Sequence, residues 1–180
     1  FINGLNPPPP KEIIELTKYI KYRDLFLIIF LLDKESVNKN GSMYFPSKDY
    51  RFTRIYEPRN RSKFMSPINK TSLIVEIPAQ NNLEIKEERK LSLINEVKNQ
   101  LIEIGFFNEK EIIKIETKNI KNAYPILNSK YKETLKPIQQ YLNQFENLIL
   151  NGRNGKYQYN HIHDHIKDGR EVINYLNNII

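Results

Sequence analysis

Apolar positions along the chain recur with two different periods, and the changes of period mark out its elements. Residues 22–33, YRDLFLIIFLLD, are nearly continuous in Leu, Ile and Phe, which predicts a strand in the middle of a sheet. Residues 73–77, LIVEI, predict a further strand, stopped by Pro78. Between them, residues 42–58 carry aromatics in MYF, DYRF and IYEP and predict two short strands broken near 46–49. Strict alternation would put Phe52, Arg54 and Tyr56 on one face and Arg51, Thr53 and Ile55 on the other. Residues 112–117 alternate as a strand should, and 119–128 read as an irregular connection or edge strand, because Pro125 cannot donate to a ladder.

The helical period appears elsewhere. Residues 11–20 follow a run of prolines with Ile13, Leu16 and Ile20 at helical spacing. Residues 84–104 predict a long helix with Leu91, Ile94, Val97, Leu101 and Ile104 on one stripe, ending at Gly105. Residues 131–145 predict a helix with Leu135, Ile138 and Leu142 inward and Pro137 kinking it or sitting in its first turn. From about residue 164 a last helix carries Ile166, Gly169, Ile173, Leu176 and Ile180 on one stripe. The order predicts an α+β fold: a mixed, mainly antiparallel sheet with flanking helices and one face open to a ligand, followed by a C-terminal strand, loop and helix.

Composition changes this picture little. With 39% hydrophobic and 27% charged residues the chain reads as a globular domain, neither disordered nor fibrous. A net charge of +7 suits nucleic acid, an anionic membrane surface or phosphorylated small molecules and chooses none of them. No helix-turn-helix, zinc-finger or RNP-like signature is present, so nucleic acid is not the expected partner. The chain has no cysteine, which excludes disulfides and thiolate metal sites and is compatible with a reducing compartment, expected to be the cytoplasm. The longest apolar run, 25–32, falls far short of the ~20 residues that span a bilayer. The chain starts at Phe1 without a signal peptide, as expected of a piece of something longer.

Candidate chemistry concentrates near the C-terminus. Leu148, Ile149 and Leu150 lead into Gly152, Arg153, Asn154 and Gly155, and a helix follows. Strand, glycine turn and helix start form a recipe for anion binding: glycines let the backbone approach closely, and the first turn offers N–H groups at the positive end of the dipole. All three histidines lie just beyond, in His161-Ile162-His163-Asp164-His165. On a strand their imidazoles would point the same way, as in a zinc or nickel site, so a metal-binding protein is one alternative reading. Asn160 or Asp164 could cap the helix. No GxSxG is present, and no catalytic residue can be assigned from the residues alone.

GRNGKYQYN followed by His and Asp resembles the carboxy-terminal FAD-contacting motif of the flavin-dependent amine oxidase and UDP-galactopyranose mutase superfamily. AYP at 123–125 and the L..I..YL..F.NL spacing after it continue the resemblance, as do NPPPP and KYRDLFLIIFLLD. The resemblance implies that Gly152, Arg153, Asn154, Gly155, Tyr159, Asn160, His163 and Asp164 contact FAD, and that 146–180 belongs to a flavin-binding domain while 1–145 is part of a substrate-binding domain. Many relatives carry Asn-Asn-x-Asp-His after the tyrosine, whereas His163 and Asp164 stand in reversed order here. YRFTRIYEP resembles the strand whose arginine faces the nucleotide diphosphate in the mutases, which gives Arg54 an anionic substrate; a guanidinium forks onto phosphate oxygens with two parallel bonds. Tyr124 and Tyr131 are placed beside substrate or flavin by the same resemblance.

A flavin enzyme of this kind needs a dinucleotide-binding half, announced by GxGxxG, and no such fingerprint occurs in this sequence. The missing N-terminal half is therefore an expected partner, and the chain alone is expected to be inactive. Two chemistries follow from the resemblance: mutation of a nucleotide sugar without net redox, or hydride removal from a C–N or C–C bond. A non-catalytic interaction module of the same fold is the other alternative, and apolar surface that normally meets the missing half would favour homo-oligomers.

Overall fold

The structure is a computed structural model and describes residues 1–79 and 87–179. It divides into two compact units, one formed by 1–22 with 124–180 and the other by 23–123. No helix among the described residues is long and apolar enough to cross a membrane.

The 23–123 unit is built on a five-stranded sheet. Its strands are β1 (Tyr22–Leu32), β2 (Met43–Tyr44), β3 (Arg54–Tyr56), β4 (Thr71–Ala79) and β5 (Ile112–Pro125), in the order β2-β3-β4-β1-β5. The pairings β1–β4, β2–β3 and β3–β4 are antiparallel. As its unbroken apolar sequence predicts, β1 is an interior strand. β4 runs through Pro78 rather than stopping before it: Pro78 stands opposite Leu25 of β1, while β3 pairs with β4 only between Ile74 and Glu76. Beyond that point the missing N–H breaks no ladder with β3. β5 is one continuous edge strand whose last residue is Pro125.

One face of the sheet carries the core. Phe26, Ile28, Phe30 and Leu32 of β1 and Leu73, Val75 and Ile77 of β4 pack with Val97 and Leu101 of helix α2 (Glu87–Glu103) and with Phe107. The first residues of the helix predicted over 84–104 lie outside the described residues. Leu91, expected on the inner stripe, is 61% exposed. At about 100° per residue Leu91 is turned some 120° from Val97, whereas Leu93 is turned only about 40° and takes the inner place. Gly105, at φ 86, ends the helix as expected, with Phe106 N–H returning to the Leu101 carbonyl.

The strict alternation expected through 51–56 fails. Phe52 is buried with Ile55 in the core instead of sharing a face with Arg54 and Tyr56. Thr53 N–H donates to the carbonyl of Glu76, the residue whose Cα already stands opposite Arg54. Two residues thus face one, and the bulge reverses the side chains before it.

The turn after β3 is fastened by a carboxylate. Glu57 is fully buried, and its oxygens accept from Val37 N–H (3.0 Å), Asn38 N–H (3.1 Å), Thr71 Oγ1 (2.6 Å) and Asn60 Nδ2 (3.2 Å). The bonds join the loop after β1 to the start of β4.

The other unit is smaller in core. Helix α1 (Lys11–Thr17) packs on α3 (Tyr131–Leu142) through Ile13, Ile138 and Leu142, with Leu148 and Leu150 against them. Pro137 lies inside α3. Residues 148–150, expected as a strand, carry no ladder among the described residues. Two further helices follow, α4 (Gly152–Lys156) and α5 (Ile162–Ile179).

Replacing Glu57 by Ala leaves the buried Thr71 hydroxyl and several partly buried donors without this acceptor. The expected outcome is a loss of about 3 kcal/mol or more of unfolding free energy in urea, with Glu57→Gln losing less because one acceptor oxygen remains. A change within about 0.5 kcal/mol for Glu57→Ala would show that the carboxylate fastens nothing.

Candidate functional site

The glycine turn singled out in the sequence is a single helical turn rather than an open loop. Asn151 precedes it in extended backbone and its Oδ1 accepts from Gly152 N–H (2.6 Å). Gly152 is at φ 73, a conformation that glycine adopts without strain. Tyr157 ends α4 in the left-handed region at φ 52, with its N–H returning to the Arg153 carbonyl.

That strained backbone at a non-glycine residue is over-determined by what Tyr157 does. Its ring is 2% exposed, meeting Tyr22 edge-on at 5.3 Å and Tyr131 at 6.2 Å between centroids. Its hydroxyl lies 2.5 Å from the Lys21 carbonyl and 3.1 Å from the Ile126 carbonyl, and Ile126 N–H donates to the same Lys21 oxygen. Burial pushes both the Tyr157 and the Tyr22 phenols up, so each stays a donor through neutral pH. Nothing in the hydrophobic pattern distinguishes Tyr157 from the other tyrosines; only the backbone at the end of a one-turn helix does. Beside it opens a cavity of about 460 Å³ lined by Ile20, Ile138, Leu142, Leu150, Gly155 and Tyr157, among others.

Arg153 forms the second cluster. Its guanidinium lies 5.5 Å from the Tyr124 ring centroid and 5.9 Å from that of Tyr159, and the two rings are 6.0 Å apart. Arg153 Nη2 donates to the Asn160 carbonyl (3.0 Å), and Tyr159 hydroxyl donates to the Pro125 carbonyl (2.7 Å). The structure therefore gathers Arg153, Tyr159, Asn160 and Tyr124, while Tyr131 belongs to the Tyr157 cluster. Asn154 and Gly155 are exposed on α4. A Cβ on Gly155 would come no nearer than 3.7 Å to the Leu150 backbone, so local packing does not demand glycine there.

α5 is fixed to this turn by residues the sequence reading passed over. Asp168, 9% exposed, accepts from Lys156 Nζ (2.7 Å) on α4 and from Asn160 Nδ2 (3.4 Å). A lysine twelve positions ahead of an aspartate has no periodic signature, and only the fold brings the pair together.

The three histidines do not line up on one face. Helix α5 begins at Ile162, so His163 and His165 are turned about 200° apart along it rather than aligned as on a strand. His161 and His163 stack at 5.6 Å, and His163 Nε2 lies 3.5 Å from Asp164 Oδ1. Among the described residues no group of three or more His, Cys, Asp or Glu side chains is arranged to hold a metal ion. Among the described residues His165 Nδ1 is buried without a hydrogen-bond partner. Asp164 Oδ2 accepts from His161 N–H (2.8 Å) across the helix start.

Arg54 lies in the other unit, on the sheet face opposite the core. Its Nε donates to Glu76 Oε2 (2.9 Å) and its Nη2 to Glu76 Oε1, a bidentate pair. Glu76 is buried and stands opposite Leu27 on β1. The Arg54 guanidinium lies 6.0 Å from the Tyr44 ring and 5.4 Å from the Tyr56 ring. Sequence reasoning found the arginine but not its carboxylate, which sits at an apparently apolar position within LIVEI.

The fold is a mainly antiparallel five-stranded sheet with flanking helices, found as one portion of larger proteins. It resembles a reduced UDP-galactopyranose mutase (17% identity over 88% of this chain, TM-score 0.69) and a putative protoporphyrinogen oxidase from Exiguobacterium sp. 255-15 (13% identity over 76%, TM-score 0.58). The chain spans about a third of each of those proteins, 33% and 31%. No family profile matches the sequence, and no curated protein matches it.

The His161 N–H bond holds the Asp164 carboxyl below the usual aspartate range; desolvation opposes this, and charge on His163, His161 and His165 acts with the bond. Because the folded pKa is depressed, the cap contributes stability above the unfolded value of about 3.9 and loses it as pH falls through the folded pKa. The expected outcome is a His161 amide resonance that titrates with a midpoint below about 3.9 and stops titrating in Asp164→Asn. A midpoint at or above the ordinary value would remove Asp164 from the helix start.

Proposed function

We propose that this chain is the carboxy-terminal part of an FAD-dependent oxidoreductase of the amine oxidase type, acting on a nucleotide sugar as a UDP-galactopyranose mutase-like enzyme. The observation that carries the reading is the likeness to a UDP-galactopyranose mutase over 88% of the chain. The sequence motif at 152–164 and the placement of Arg153, Tyr124 and Tyr159 around one point support it. The dinucleotide-binding half is supplied from outside this sequence, and the exposed stripe of α5 supports a surface for it. Ile162, Ile166, Ile173 and Leu176 are 80%, 55%, 58% and 38% exposed on that helix.

The residues present fit FAD. Among the described residues His165 Nδ1 is an orphaned buried polar atom near the start of an 18-residue helix, and Arg153 presents a cation beside two phenol rings. In this reading Gly152, Arg153, Asn154, Gly155, Tyr159, Asn160, His163 and Asp164 bind and orient the cofactor, whose ring supplies the electron chemistry when bound. By the resemblance Tyr124 and Tyr131 lie beside substrate or flavin, and Arg54 binds the substrate anion. Arg54 does so only by sharing or exchanging its bond to Glu76, so the carboxylate tunes how strongly a diphosphate is held.

The complete gene product tests the reading through its visible absorption. A bound oxidised flavin is the expected result, and a protein that stays colourless after FAD is added overturns it. With reduced flavin, interconversion of a UDP-sugar selects the mutase type. In that case Arg54→Ala weakens UDP-sugar binding by roughly 10- to 100-fold, the range of a lost charge-assisted bidentate contact. Unchanged binding in Arg54→Ala assigns the substrate anion to another cation.

A further inference from the structure

The loop joining β3 to β4 ends in apolar side chains that the fold leaves in solvent. Phe64 is 87% exposed, Met65 61% and Ile68 90%. Single exposed apolar residues are ordinary on a protein surface, but three in so short a stretch are not scattered. Local backbone holds them out. Lys63–Met65 form one tight helical turn, Met65 N–H donates to the Ser62 carbonyl (2.9 Å), and Lys70 N–H to the Pro67 carbonyl (3.2 Å). Asn69 closes the second turn at φ 59.

Cations flank them along the loop. Residues 58–70 contain Arg59, Arg61, Lys63 and Lys70 and no acidic residue. Lys63 Nζ lies 5.3 Å from the Phe64 ring, and Arg61 reaches the Tyr56 ring (5.2 Å) and Ser42 Oγ (2.9 Å). Lys70 meets Asp33 at 2.7 Å and Arg59 meets Glu35 at 3.8 Å, on carboxylates that are themselves mostly exposed. The exposed Lys70 pair is weak and exchangeable, and counting both acids still leaves the loop positive.

The partner this surface fits has negative charge at its rim and an apolar layer immediately beneath. A nucleic acid offers the charge but would stack only Phe64, leaving Met65 and Ile68 without a counterpart. An anionic bilayer offers both: apolar side chains enter the headgroup–acyl boundary while cations stay at the phosphates. We propose that loop 58–70 is a membrane-surface anchor, with Phe64, Met65 and Ile68 entering an anionic bilayer and the exposed Arg61, Lys63 and Lys70 meeting its headgroups. The inference uses no part of the flavin reading and stands or falls apart from it.

The sequence has no tryptophan, so Phe64→Trp creates a sole, selectively excitable tryptophan at the tip of the loop without touching the core. With vesicles of phosphatidylcholine and phosphatidylserine its emission shifts to the blue, is quenched by brominated acyl chains and recovers as salt is added; pure phosphatidylcholine gives a smaller effect. Ile68→Asp, which also leaves the core intact, weakens the partitioning by about tenfold or more. No shift with anionic vesicles overturns the proposal, as does vesicle binding without quenching, which is adsorption by charge alone. A shift that grows with protein concentration in the absence of lipid assigns the loop to a second copy and overturns it, and a shift produced by single-stranded DNA in place of vesicles does the same.

Discussion

The register between β1 and β4 is the constraint from which the rest of the sheet unit follows. Phe26 stands opposite Ile77, Ile28 opposite Val75 and Phe30 opposite Leu73, so both strands turn their largest apolar side chains to the same side. Slipping by one residue would exchange every one of them for a neighbour on the other face. The same register sets Glu76 against Leu27, on the side away from the core, where the bidentate bond to Arg54 forms. Core and polar site are two consequences of one pairing, and an apolar strand can carry a buried glutamate because its partner arginine arrives on the next strand.

Periodicity made most of the elements legible. β1 could be read from uninterrupted Leu, Ile and Phe, α2 from its stripe and Gly105, and β5 from alternation followed by Pro125. What periodicity misses is where the period itself is broken. The bulge at Thr53 inverts Phe52, and no residue type announces it, since neither Thr53 nor Arg54 is a turn former. Leu91 was misplaced for a related reason: steps of three accumulate a drift of about 60° each against a 3.6-residue helix, so a stripe that looks regular in sequence leaves the core within two steps. Glu57 and Asp168 were invisible because their partners lie on other elements, and a single acidic letter does not reveal that it is buried.

The C-terminal site was legible as a place and not as a geometry. Glycine spacing pointed to the turn, yet α4 is a closed helical turn, and Tyr157 decides how it ends by reaching back to Lys21. The reversed order of His163 and Asp164 has a local physical reading. An aspartate three residues beyond His161 bonds back to its N–H and closes the helix start, a bond that the same carboxylate one position earlier would have to make with a different amide. The departure from the motif thus coincides with a self-capped helix. Part of the positive end that a cofactor would meet is already satisfied by the chain.

Net charge proves a poor guide to where an anion would be held. Arg51 is matched by Glu96, Lys156 by Asp168, Lys98 by Glu109 and Arg54 by Glu76, so these four cations are locally paired and the excess resides on other residues. Arg153 differs in kind. Its described partners are the Asn160 carbonyl and the faces of Tyr124 and Tyr159, which orient a guanidinium without neutralising it. An anion approaching Arg54 must compete with a buried carboxylate for the same two N–H groups, whereas one approaching Arg153 meets a charge already fixed in direction. By that difference the motif arginine, rather than the sheet arginine, is the stronger of the two positive sites.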